Sequence, residues 1–175
     1  MTDYTEAVRA VAYSPDGQHL ASAGDGGTLR VWDLRSRTLT GHTGPVISVA
    51  YSPDGQHLAS AGQDGTVRVW DLATEESRTL TGNTETVEAV AYRSDGQHLA
   101  GASAGGMLRV WDLVTGQSRT LTGYIEPAGA VVSSPDGQHT ANIVGDGTLQ
   151  VQDLHTGRLR TLTGYTEMGE CQVNG

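Results

Sequence analysis

Ser52-Pro53-Asp54-Gly55-Gln56-His57-Leu58-Ala59-Ser60-Ala61-Gly62-Gln63-Asp64-Gly65-Thr66-Val67-Arg68-Val69-Trp70-Asp71 is the stretch that decides the fold. It opens as a turn: Pro53 presets φ at the second position and Gly55 accepts the positive φ that follows. Residues 57–61 read as a strand, Gln63-Asp64-Gly65 as an Asp-Gly hairpin turn, and residues 66–70, rich in β-branched side chains, as the next strand. Upstream, Val46-Ile47-Ser48-Val49-Ala50-Tyr51 is β-rich; downstream, residues 77–81 are shorter and more polar, as suits an outermost strand. No 3.6-residue apolar period persists, and 24 glycines disfavour helix. The unit is a four-stranded antiparallel meander.

That unit recurs. Pro-Asp-Gly-Gln-His stands at residues 15–19, 53–57 and 135–139, with Ser94 replacing Pro at 94–98. Trp-Asp follows at Trp32-Asp33, Trp70-Asp71 and Trp111-Asp112, and becomes Gln152-Asp153 in the fourth copy. Fifteen positions separate Gly17 from Trp32, Gly55 from Trp70, Gly96 from Trp111 and Gly137 from Gln152. Copies are offset by 38, 41 and 41 residues, the first interval being short because residues 33–38 lack three positions. A single such sheet has two apolar faces, so neighbouring copies must cover one another.

Composition narrows the function. The 175 residues suit one domain, and no apolar run reaches the ~18 residues of a spanning helix. Cys171 stands alone, which excludes an intrachain disulfide and any multi-cysteine metal site. Twenty acidic against eleven basic residues give a net charge of -9, which argues against nucleic acid. All eleven basic residues are Arg, so a Walker-type lysine and Schiff-base chemistry are both excluded. The opening Met-Thr-Asp-Tyr-Thr-Glu carries no basic stretch followed by an apolar core, so the expected location is cytoplasmic, with no membrane partner.

Gly41-His42, Asp64-Gly65 and Trp70-Asp71 together resemble the WD-repeat (Trp-Asp repeat) propellers, and the resemblance runs over residues 5–164. It implies an all-β fold, a WD-repeat-like β-propeller in which each copy is one blade of four antiparallel strands. The blades would span residues 5–41, 43–82, 84–123 and 125–164 of a single module over 1–175, with 165–175 as a terminal overhang. The family's blade-stabilising hydrogen-bond tetrad maps onto His42, Ser60, Asp64 and Trp70. The other copies depart from it: Tyr4, Ser22, Gly26 and Trp32 in copy one, with Asp25 displaced by one; Asn83, Gly101, Gly105 and Trp111 in copy three; Tyr124, Asn142, Asp146 and Gln152 in copy four. Copy four also has Ser133 for the Tyr13, Tyr51 and Tyr92 of the others, and Thr140 for Leu20, Leu58 and Leu99. Each such exchange should cost about 1–4 kcal/mol unless the site repacks. Propellers run from about four to eight blades. Two chains could therefore supply four blades each to an eight-bladed homodimeric ring, which we take first; four blades closing on themselves, or an open assembly, are the alternatives. Tyr165-Thr166-Glu167 repeats Tyr4-Thr5-Glu6, where a next blade would begin.

The resemblance implies a protein–protein interaction scaffold that binds through its rim loops, without cofactor, metal or intrinsic catalysis. Two residues past the Gly-His position stand Glu6, Glu85 and Glu126, with Gly44 in copy two and Glu167 in the overhang. Such rim carboxylates would favour a protein or peptide bearing basic residues; the plain alternative is a solvated crossing loop. The hairpin positions Asp25, Gln63, Ala104 and Gly145 vary and are candidate specificity residues. His19, His57, His98 and His139 recur once per copy but fall too far apart, at ~10 Å between packed sheets, to share one metal ion. Arg30, Arg68 and Arg109 repeat in register and suggest blade-to-blade ion pairs with Asp16, Asp54 and Asp95. No site unique to one copy joins nucleophile, base and oxyanion donors. A small-ligand or carbohydrate pocket between blades, and an enzyme site in the channel, remain the rival readings.

Overall fold

The computed structural model describes residues 6–33, 36–83, 85–121, 128–144 and 148–162. Sixteen strands form four quartets: β1 (Val8–Tyr13), β2 (Leu20–Gly24), β3 (Thr28–Trp32) and β4 (Arg37–Thr40); β5 (Val46–Tyr51), β6 (His57–Gly62), β7 (Val67–Asp71) and β8 (Ser77–Leu80); β9 (Val87–Tyr92), β10 (His98–Ser103), β11 (Leu108–Asp112) and β12 (Ser118–Leu121); β13 (Ala128–Ser133), β14 (His139–Val144), β15 (Leu149–Asp153) and β16 (Leu159–Leu162). Each quartet is one antiparallel sheet in chain order, and none of the described residues is helical. The architecture is a four-blade WD-type propeller module.

Turn chemistry sets each meander. The Gly55 N–H donates to the Ser52 carbonyl at 2.9 Å, with Gly55 at φ +71°. Ser52 Oγ donates to Asp54 Oδ1 and accepts the His57 N–H at 2.9 Å, which ties the turn to the strand it starts. Strand β7 begins one residue later than the pattern suggests, because Thr66 belongs to the hairpin: its N–H and hydroxyl both donate to Asp64 Oδ1. The aspartate of Trp-Asp has a local task. Asp71 Oδ1 accepts the N–H groups of Ala73 and Thr74 and so closes the turn into β8; Asp112 and Asp153 do the same in the next two blades. Inner strands β1, β5 and β13 carry a register shift at the same point, and β9 shifts opposite Ala102–Ser103, a bulge that bends the strand nearest the axis.

Innermost strands pack in order, β1 on β5, β5 on β9 and β9 on β13. Every interface uses the same two faces. A small-residue face (Ala21, Ala23, Leu29, Val31 and Leu39 in blade one) meets a tryptophan face (Val46, Val49, Tyr51, Leu58, Trp70 and Leu72 in blade two). Blades two and three repeat this with Ala59, Ala61, Val67 and Leu80 against Val87, Val90, Leu99 and Trp111. Between blades three and four, Ala100, Ala102, Leu108 and Val110 meet Val131 and Leu154, and the aromatic contribution is missing.

One expected contact is corrected. Arg30, Arg68 and Arg109 do not pair with Asp16, Asp54 and Asp95. Arg30 and Arg68 lie over the rings of Trp32 and Trp70 in their own blades, at 5.7 and 5.9 Å from the centroids. Arg68 and Arg109 also donate to Ser77 and Ser118. They pass where Gly41 and Gly82 leave room, since a Cβ on either glycine would fall 2.6 Å from a guanidinium nitrogen. Asp16 and Asp54 are engaged within their own turns, and Asp95 with His98 and Arg93. The link between blades comes from other arginines: Arg37, Arg78 and Arg119 on the outer strands donate to the carbonyls of Leu72, Leu113 and Leu154 in the following blade.

Candidate functional site: the tetrad and the crossing-loop rim

In blade two the hairpin Gln63-Asp64-Gly65, the crossing loop at His42 and strands β6 and β7 converge on one buried chain of polar groups. Trp70 Nε1–H donates to Ser60 Oγ at 2.8 Å, and Ser60 Oγ lies 2.7 Å from His42 Nε2. His42 Nδ1 lies 2.9 Å from Asp64 Oδ2. The direction follows from the indole, which can only donate: the Ser60 hydroxyl then donates to Nε2, leaving Nδ1–H to donate to Asp64. The His42 side chain is fully buried and the Asp64 side chain is 7% exposed. Burial pushes His42 below its ordinary value, against the pull of Asp64, so the ring is neutral at pH 7. Burial also pushes Asp64 up, but donors from Thr66, the Thr43 N–H and His42 outweigh it and hold the carboxyl below its usual range. Every polar atom of this network has a partner, so it fastens hairpin to strand.

The other blades solve the same problem differently. In blade one Trp32 Nε1–H donates to Ser22 Oγ at 2.7 Å, and Asp25 pairs with Arg9 on β1. In blade three Trp111 lies against Gly101, where a Cβ would sit 2.8 Å from the indole, and its N–H donates to the Thr81 carbonyl. In blade four the buried Asn142 side chain and Thr140 Oγ1 have no hydrogen-bond partner, and Gln152 donates to the Gly157 carbonyl.

Crossing loops and hairpins share one rim, joined by backbone hydrogen bonds from Asp25 to Ala7, Gln63 to Pro45 and Ala104 to Thr86. Glu6, Glu85 and Gln63 are exposed there; Asp25 is partly covered. Glu126, Gly145, Asp146, Tyr4, Tyr124, Glu167 and Cys171 lie outside the described residues. One relation links two positions and is invisible at either alone. The Glu6 and Glu85 carboxylates fold over Gly26 and Gly105, filling the space a Cβ there would need. Gly26 and Gly105 stand where blade two has Asp64, and blade two has Gly44 where the others have Glu. The acid thus moves between hairpin and crossing loop, and the paired Gly/Asp and Glu/Gly choices in the sequence carry that signal. Among the described residues no three His, Cys, Asp or Glu side chains gather as metal ligands.

On the opposite rim, a cleft of about 460 Å³ opens between blades three and four, lined by Arg93, His98, Asp112, Arg119, Ser133 and His155 among others. The equivalent cleft between blades two and three includes Tyr92, where blade four has Ser133.

The family description "WD domain, G-beta repeat" matches residues 1–33, 35–71 and 74–112, well over half of the chain. The chain belongs to the WD-repeat family. The matched segments are its first three copies, those that keep Trp-Asp. No curated protein matches the chain. WD repeats generally mediate protein–protein interaction.

Proposed function

We propose that the chain is a protein-interaction scaffold without intrinsic catalysis, acting as a homo-oligomer and binding a protein or peptide with basic residues. The observation that carries the reading is the shared rim of crossing loops and hairpins, where Glu6 and Glu85 are exposed on a chain of net charge -9. Glu126 joins them by sequence position, and Asp25 and Gln63 supply the variable neighbours. Replacing Glu6, Glu85 and Glu126 together by Gln should weaken capture of an arginine-rich peptide and flatten its salt dependence. Unchanged affinity in fluorescence anisotropy would remove the rim from the account.

A second reading is favoured by the cleft at Ser133: a small polar ligand, such as a sugar or a sugar phosphate, seated between blades three and four. Two guanidinium groups, two imidazoles and a carboxylate supply donors and an acceptor there. Ser133→Tyr should refill the space that Tyr92 occupies one blade earlier. A thermal-shift response to a sugar panel that survives this substitution would sink the reading.

A further inference from the structure

Three interfaces within the chain join a small-residue face to the tryptophan face of the next blade, and one copy of each face is left over. On blade one the tryptophan face is open: Val11 is 63% and Tyr13 71% exposed, whereas Val90, the Val11 equivalent in blade three, is 5% exposed. On blade four the small-residue face is open: Val132 is 60% and Ile143 47% exposed, and Leu162 is exposed as well. Ala91 and Ala102, their equivalents one blade earlier, belong to the core against blade four. Continuous apolar faces of this kind are seldom left to water on a monomer.

We propose that a second copy of this chain covers both, with the tryptophan face of blade one in each copy seated on the small-residue face of blade four in the other. The inference sharpens the homo-oligomer part of the reading above and is independent of what the rim binds. Three observations favour a copy over an unrelated partner. The two open faces stand at the positions of the two halves of an interface that the chain already builds three times, with Val132 and Ile143 making blade four's half bulkier and more apolar than the alanines of the others. The open face of blade one also keeps the apolar set of Val8, Val11, Tyr13, Leu20 and Trp32, whereas the covered face of blade four has Ser133, Thr140 and Gln152. Finally, the strap arginine has its next member in place. Arg37, Arg78 and Arg119 each reach the leucine carbonyl after the following Trp/Gln-Asp, and Arg160 holds the same position on β16, exposed. In sequence the corresponding leucine is Leu34, which lies outside the described residues. Because the two faces differ, the contact is head-to-tail, and reciprocal use by two copies closes the assembly with two-fold symmetry and leaves no face open.

Light scattering of the full 175-residue chain should report twice 18.4 kDa. Val11→Arg and Ile143→Arg alter exposed positions, so both should keep the β-type circular dichroism. Each should weaken dimerisation on the order of a hundredfold or more by placing an unpaired guanidinium in an apolar interface. Mixed together, the two variants retain one intact face pair, and native mass spectrometry should show a heterodimer that neither forms alone. A wild type that stays at the single-chain mass at all concentrations overturns the proposal, as do variants that dimerise like wild type or a mixture with no heterodimer. Growth into open polymers overturns two-copy closure. Peptide capture by the rim, measured on the same samples, keeps the two ideas apart: binding by a monomer removes only the assembly.

Discussion

Over their described strands, blades two and four share one pattern of pairing and have opposite interiors. Their strands pair in the same register, His57 opposite Asp71 and His139 opposite Asp153, and both keep the Ser-Pro-Asp-Gly turn and the aspartate that closes the outer hairpin. Inside, blade two joins Trp70, Ser60, His42 and Asp64 in one satisfied chain, whereas blade four buries Asn142 and Thr140 without partners. Blade four therefore pairs as a meander without the tetrad, which is an addition to the pairing and turn chemistry the two blades share.

The sharpest way to break this contrast is to truncate the two equivalent side chains. Trp70→Ala should cost about 3–5 kcal/mol in denaturant unfolding, since the indole is buried and its N–H bonded, while Gln152→Ala, which removes a smaller buried side chain and its bond to Gly157, should cost about 1–2 kcal/mol. Equal losses would mean that the tetrad blade is not the more tightly held. Next in size is a repair. Thr140→Leu restores the leucine of the other blades and removes an unpartnered buried hydroxyl, so a gain of about 1–3 kcal/mol is expected by the same assay. A loss would show that blade four has repacked around the hydroxyl.

Between about pH 7 and 5, acid should act mainly on blade two; below that range the lowered aspartates of every blade take part. His42 is held below its ordinary 6.5 by burial, so the unfolded chain takes up a proton there that the folded chain refuses. Its contribution is complete above about pH 6.5 and declines as pH falls below that value. Asp64, held below 3.8, extends the loss to lower pH, because the unfolded carboxylate protonates first. Melting temperature should fall between about pH 7 and 5, and fall less steeply in His42→Gln; parallel slopes would place the titration elsewhere. The smallest effect concerns the turn into β8. Glu75 sits at φ +62° where blades three and four have Gly116 and Gly157 at +74° and +73°. Glu75→Gly should therefore gain about 1 kcal/mol, read as a small rise in melting temperature.

Much of this was legible in one dimension. Four meanders, the glycine-dependent turns and the tetrad candidates lie within single repeats, where proline, glycine, aspartate and period-two patterning act over a few residues. The arginines and glutamates were not legible in this way. Register alone made Arg30, Arg68 and Arg109 the obvious bridges between blades, yet they lie along their own sheets and the bridging falls to Arg37, Arg78 and Arg119. Glu6 and Glu85 stood out as free rim charges, yet their carboxylates rest on Gly26 and Gly105.

The amino-acid order by itself determined the strands, their turns and the alternation of small and large faces, because those depend on backbone preferences and near neighbours. Which long charged side chain reaches which carbonyl, and which apolar faces find a cover, were decided only by the stacking of blades. A flexible side chain takes its partner from whatever the adjacent sheet brings within reach, and that depends on the position of the neighbouring blade.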